Sequence, residues 1–184
     1  MKKKIFALSV VTILLVCFAG GTLAYYTSED QAHNVITTGG VKIAIQEWAD
    51  EDKTIPFEDV DGATPSASVT KIAEVKNTGA SDAWIRVKIE KGITLKGEGE
   101  PDTDLIQLDI NTDAWTDGED GYYYYNKSLA SGEVTEPIFT KVNFSSEMGD
   151  DYQEASVTVD VSAQAVQSAN NGEDVLSANG WPED

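Results

Sequence analysis

Residues 155–165 read Ala-Ser-Val-Thr-Val-Asp-Val-Ser-Ala-Gln-Ala. Val157, Val159, Val161, Ala163 and Ala165 fall on one side of a two-residue period, which is the pattern of a strand with one buried face. Working outward, the same period recurs. Ile138, Thr140, Val142 and Phe144 alternate, as do Ile106, Leu108 and Ile110 within Leu105–Ile110. In Ala83–Glu90, Ile85, Val87 and Ile89 oppose Trp84, Arg86, Lys88 and Glu90. Val41, Ile43 and Ile45 alternate after Gly39-Gly40, and Ser68–Lys76 is a strand with imperfect alternation. Tyr122–Tyr125 is a run of four aromatics that a strand divides two to each face.

Between these strands lie turn and loop signals. Asn77–Asp82 and the acidic Thr116–Gly121 read as turns. Asp50–Pro65, the Gly-rich Gly92–Asp104, Leu129–Pro137 and Ser145–Glu154 read as loops, the last with room for one helical turn. After residue 24, no stretch longer than about ten residues carries helical periodicity. The expected fold is therefore all-β: an antiparallel β-sandwich, jelly-roll-like, preceded by a helical signal peptide. The expected organisation is a signal at 1–24, an extended segment at 25–40, the sandwich at 41–167 and a polar, frayed tail at 168–184.

The signal is read from Lys2, Lys3 and Lys4, the apolar Ile5–Phe18, and the break at Ala19-Gly20-Gly21. Thr22 and Ala24 set small residues at the −3 and −1 positions of a cut between Ala24 and Tyr25. A retained anchor is the competing reading, because Ile5–Ala24 reaches the ~17–25 residues that span a bilayer. The glycine break and the small residues favour cleavage. Val16 precedes Cys17, where a lipoprotein signal requires a small residue.

Of the 13 Lys and Arg, Lys2, Lys3 and Lys4 leave with the signal, so the mature chain sets 10 against 32 Asp and Glu, a net charge of −22. That charge opposes binding to nucleic acid and to anionic membrane, both polyanions. Contact with membrane is expected only before the signal is cut. Cys17 is the one cysteine. The mature chain thus has no disulfide, no thiolate metal site and no cysteine nucleophile.

His33 is the one histidine. A zinc peptidase needs several nitrogen or oxygen ligands and a general base, commonly as H-E-x-x-H, and a serine hydrolase of the common type needs G-x-S-x-G. Neither motif occurs, so no enzyme, catalytic residue, cofactor or metal site is expected. Asp109, Asn111, Asp113, Asp117 and Asp120 match positions 1, 3, 5, 9 and 12 of a calcium loop. Ala114 stands where that loop needs glycine, and Asp120 is shorter than its bidentate glutamate. Trp84 and Tyr122–Tyr125 are candidates for a glycan- or peptide-binding face; core packing and cross-strand pairs are the plainer reading.

Several of these residues together resemble the TasA/camelysin family of exported proteins. They are Gly20–Ala24, Tyr25-Tyr26-Thr27, Asn34–Gly39, Val75–Gly79 followed by Ala83–Val87, Gly121–Tyr125, and the late strand Ala155–Asn170. The resemblance implies processing by a SipW-type signal peptidase and a jelly-roll-like sandwich. It also implies a role as homopolymeric fibre subunit in the extracellular biofilm matrix or at the cell surface of Gram-positive cells, with accessory matrix proteins as further partners. Assembly is implied to proceed by donation of the N-terminal strand to a neighbour, with Val35, Ile36 and Thr37 as the donor strand. Camelysin-like members have been described as metallopeptidases, and that activity is the alternative function, beside a surface glycan- or peptide-binding module.

N-terminal sequencing of the exported protein is expected to begin at Tyr25. A mature form that keeps Ile5–Phe18 establishes the anchor reading.

Overall fold

The computed structural model describes residues 35–37, 40–58, 64–152 and 155–183. Ala24, Tyr25 and His33 lie outside the described residues. The described chain forms nine strands: β1 (Val35–Thr37), β2 (Ile43–Trp48), β3 (Ser68–Asn77), β4 (Ala83–Thr94), β5 (Ile106–Leu108), β6 (Trp115–Asp117), β7 (Tyr123–Tyr125), β8 (Phe139–Phe144) and β9 (Ser156–Gln167). Single 3₁₀ turns occur at Thr103–Leu105 and Asp150–Tyr152.

Two sheets pack face to face, in the orders β1-β9-β4-β7-β6 and β2-β3-β8-β5. The chain changes sheet from β1 to β2, β3 to β4, β4 to β5, β5 to β6, β7 to β8 and β8 to β9. This repeated crossing gives the sandwich its jelly-roll-like winding. All pairings are antiparallel except that of β1 with β9.

The core follows from the alternation. Ile85 and Val87 of β4 and Val159, Val161, Ala163 and Ala165 of β9 meet Ile43, Ala73, Val75, Ile106, Phe139 and Val142 of the other sheet. The turn from β3 to β4 is built by Asn77, which is fully buried. Its amide nitrogen donates to the carbonyls of Ser81 and Leu129, and its oxygen accepts from Gly79 N–H. Position 79 admits only glycine without rearrangement, because a Cβ there meets Lys42 N at 2.7 Å.

Element boundaries differ from the sequence reading for identifiable reasons. β4 runs on to Thr94, into the expected loop, because β9 supplies a partner for every residue up to Ser156. Trp115–Asp117, which overlaps the expected acidic turn Thr116–Gly121 at two residues, is a strand because β7 lies beside it. The strand expected over Leu105–Ile110 shortens to Ile106–Leu108. After Leu108 the Asp109 carboxylate, rather than its backbone, takes the N–H groups of Thr140 and Lys141, at 2.8 and 2.7 Å, and the Thr140 hydroxyl. The segment after Gln167 is not a frayed end over residues 168–183. Val175 and Ala178 are buried against the outer face of the five-stranded sheet, with Trp181 packed beside them.

Partial burial pushes the Asp109 carboxyl upward, but the hydroxyl and two amides outweigh it and hold it below the usual carboxylate range. A depressed folded pKa means that the stabilisation is complete above the unfolded value, ~3.9, and is lost as pH falls through the folded one. Asp109→Ala is expected to cost about 1–2 kcal/mol at neutral pH, measured by urea denaturation. The gap to the parent should narrow below about pH 3.5; an equal gap at both pH values contradicts the assignment.

Candidate functional site

One strand in this fold is used unequally on its two sides. Along one side β9 pairs with β4 over its whole length, from Gln167 opposite Ala83 to Ser156 opposite Thr94. Along the other side, among the described residues, only Ala163, Gln164 and Ala165 are paired, with Val35, Ile36 and Thr37 of β1. Among the described residues no strand lies beside Ser156–Ser162 on that side. β2 is the outermost strand of the opposite sheet, and its outer side is partly taken: Phe57 N–H donates to Glu47 O, and Ala49 N–H donates to Ile55 O. The flank of the sandwich between β9 and β2 is therefore a seam with two strand edges. An edge of unpaired N–H and C=O groups is a template for an added strand.

Two features close this seam. At one end β1 lies on β9, followed by Gly40, whose φ of +79° suits a residue without a Cβ. Further along, at Val159, Lys71 of β3 reaches across. Its ammonium donates to the carbonyl of Val159 at 2.9 Å. It lies 3.0 Å from Glu47 Oε1 and 4.4 Å from the centre of the Phe57 ring. Lys71 is only 5% exposed, so this is an ion pair inside the seam and not a surface contact.

The residues singled out from sequence distribute as follows. Val35, Ile36 and Thr37 form the strand beside β9, the expected β-prone piece now given an edge and a register. The five calcium-loop candidates are not brought together. Asp109 is spent on β8. Asn111 donates to Pro137 O, and Asp117 and Asp120 accept from the backbone of their own turn. Among the described residues no group of three or more His, Cys, Asp or Glu is placed to hold a metal ion.

The tyrosine run divides two to each face. Tyr123 and Tyr125 point to the main core, where Tyr125 packs on Trp115 with ring centres 5.1 Å apart. Tyr122 and Tyr124 point outward with Trp84, but all three are buried under the C-terminal segment. Trp84 Nε1 donates to Asn171 O at 2.7 Å. The Arg86 guanidinium stacks between Tyr122 and Trp181, 3.9 and 4.8 Å from their ring centres. It donates through Nε and Nη2 to Gln164 Oε1, and through Nη1 to Tyr124. Tyr124 in turn donates to Asp120 at 2.7 Å, and burial together with that bond pushes its phenol upward. The candidate aromatic face is thus covered by the C-terminal segment of the same chain.

Sequence reasoning passed over Lys71, Glu47 and Trp181. The first two carried a signal. Glu47 continues the buried parity of Val41, Ile43 and Ile45, and Lys71 that of Ala73 and Val75. Opposite charges at apolar positions of adjacent strands mark an internal pair.

No protein-family model matches the chain, and no curated protein and no solved structure matches it.

Trp181→Ala removes both the cation–π partner of Arg86 and the edge-on contact with Tyr124. It is expected to cost about 1–3 kcal/mol, read as a lower urea midpoint, and to raise the exposure of Trp84 to a soluble fluorescence quencher. An unchanged midpoint contradicts a packed C-terminal segment.

Proposed function

We propose that this chain is a secreted structural subunit that polymerises into extracellular matrix fibres by exchanging its N-terminal strand with a neighbouring copy. The observation that carries the reading is the three-residue β1, docked parallel on a strand of twelve residues beside whose Ser156–Ser162 no further strand lies among the described residues. A strand held by so short a ladder is readily replaced by the same strand from a second copy. The vacated partner then offers its own edge in turn, so the exchange propagates head to tail. Gly39-Gly40 supplies the hinge between the exchanged segment and β2.

The resemblance to the TasA/camelysin family supports the same reading and adds its cellular setting. In that setting a SipW-type peptidase releases the chain between Ala24 and Tyr25, and the donor segment becomes available only then. The polymer stands in the matrix or at the cell surface with accessory matrix proteins. A glycan- or peptide-binding module loses its main support, because Trp84 and Tyr124 lie under residues of the same chain.

The mature charge of −22 opposes close packing of subunits. Salt screens this repulsion over roughly 10 Å at 0.1 M, and acid neutralises carboxylates. The mature chain is expected to be monomeric at low salt and to polymerise slowly, faster with added salt or at acidic pH. Deleting Tyr25–Thr38 is expected to leave a folded domain that does not polymerise. Fibres of parental morphology from that truncated chain, seen by electron microscopy, overturn strand exchange.

A further inference from the structure

We propose that the Lys71–Glu47 pair is a displaceable lock on the β9 edge, which holds Ser156–Ser162 closed until the N-terminal segment of a second copy takes its place. This rests on the strand-exchange reading and concerns how that exchange is regulated.

The geometry is specific. An added strand gains its ladder by bonding the outward N–H and C=O groups of β9. The carbonyl of Val159, at the middle of the open stretch, is already taken by the Lys71 ammonium. In a strand the N–H and C=O of one residue point the same way and alternate with those of the next. Val157, Val159 and Val161 therefore share the direction of the open side. The ammonium occupies the central one of these three positions, and Glu47 and Phe57 hold it there. A strand extending past Ala163 must displace it.

The register of β1 says what arrives. Val35 stands opposite Ala163 in a parallel pair. Continued toward the N-terminus, the same register sets His33 opposite Val161, Gln31 opposite Val159 and Glu29 opposite Val157. A strand arriving in this register runs past Val159, where the Lys71 ammonium now sits, so the ammonium must leave before the ladder extends beyond Ala163.

The test uses the mature chain carrying Lys71→Met and Glu47→Leu together, which removes both charges and leaves neither orphaned. The double variant is expected to remain a folded monomer at low salt and to polymerise with a lag about tenfold shorter, equivalent to a barrier lower by ~1.4 kcal/mol. An unchanged or longer lag in the folded variant overturns the lock. Deleting Tyr25–Thr38 from the double variant separates the two claims. If the deletion abolishes polymerisation but the intact double variant is no faster than the parent, only the lock fails. If the deleted form still makes parental fibres, strand exchange itself fails. Hydrogen exchange on the unmodified chain gives a second test that does not depend on the variant folding. The amides of Val159 and Val161 are expected to exchange fast in the monomer and to be protected in the polymer. Equal exchange in both states overturns the proposal.

Discussion

The twelve-residue antiparallel ladder between β4 and β9 is the constraint on which the rest depends. It joins segments some seventy positions apart and sets Ile85 and Val87 beside Ala163 and Ala165 on one inner face. The other sheet closes over that face, and β7 and β6 extend the ladder beyond β4. Because β4 uses one whole side of β9, the opposite side is the only place where β9 can accept anything further. The short β1 takes three residues of that side. The proposed function follows from this asymmetry: a long, regular strand, paired along one whole side and, among the described residues, at only three positions along the other.

The two faces of the five-stranded sheet solve different problems. The inner face is an apolar core of ordinary composition. The outer face carries Arg86, Gln164, Tyr122 and Tyr124, which are too polar for a core and too apolar for water. The C-terminal segment resolves this by laying Trp181 on the guanidinium and Val175 and Ala178 on the sheet. A cation between two rings keeps its charge while losing water, and the carboxamide of Gln164 accepts two of its N–H groups. The outer surface of the sheet at Trp84, Tyr122 and Tyr124 is thereby covered by residues of the same chain.

Much of this was legible in the sequence because strands declare themselves by period. The inner faces of β4 and β9 were readable residue by residue, and so was the division of the tyrosines, but β8 was not: Phe139, off the parity of Ile138, Thr140, Val142 and Phe144, is fully buried in the core. What the period does not carry is pairing. Trp115–Asp117 is a strand only because β7 lies beside it, and β5 ends early because a carboxylate replaces a backbone group. The C-terminal segment is polar in composition, and its docked apolar residues Val175, Ala178 and Trp181, three apart, do not follow the two-residue period of a strand, so its docking on Trp84 and Arg86 was invisible. Lys71 and Glu47 were visible as charges at buried parity, yet their meeting depends on which strands are neighbours. The donor segment could be named from its β-prone residues and its glycines, but the edge that receives it belongs to tertiary structure.

Strand exchange is tested most directly by a cross-link between the two paired positions, in a mature chain that has no cysteine of its own. Ile36 and Gln164 are direct partners across the β1–β9 ladder, within the separation a disulfide can bridge, ~4.4–6.8 Å between Cα atoms. One population carries Ile36→Cys and another Gln164→Cys. The two are mixed, polymerised with salt and oxidised. The account predicts disulfide-linked dimers of one chain from each population, absent when the same mixture is oxidised as monomer at low salt. It also predicts that a chain carrying both cysteines, oxidised as monomer, closes on itself and no longer polymerises. Polymers that form from the mixture without any cross-chain disulfide, or from the internally closed chain at the parental rate, contradict it.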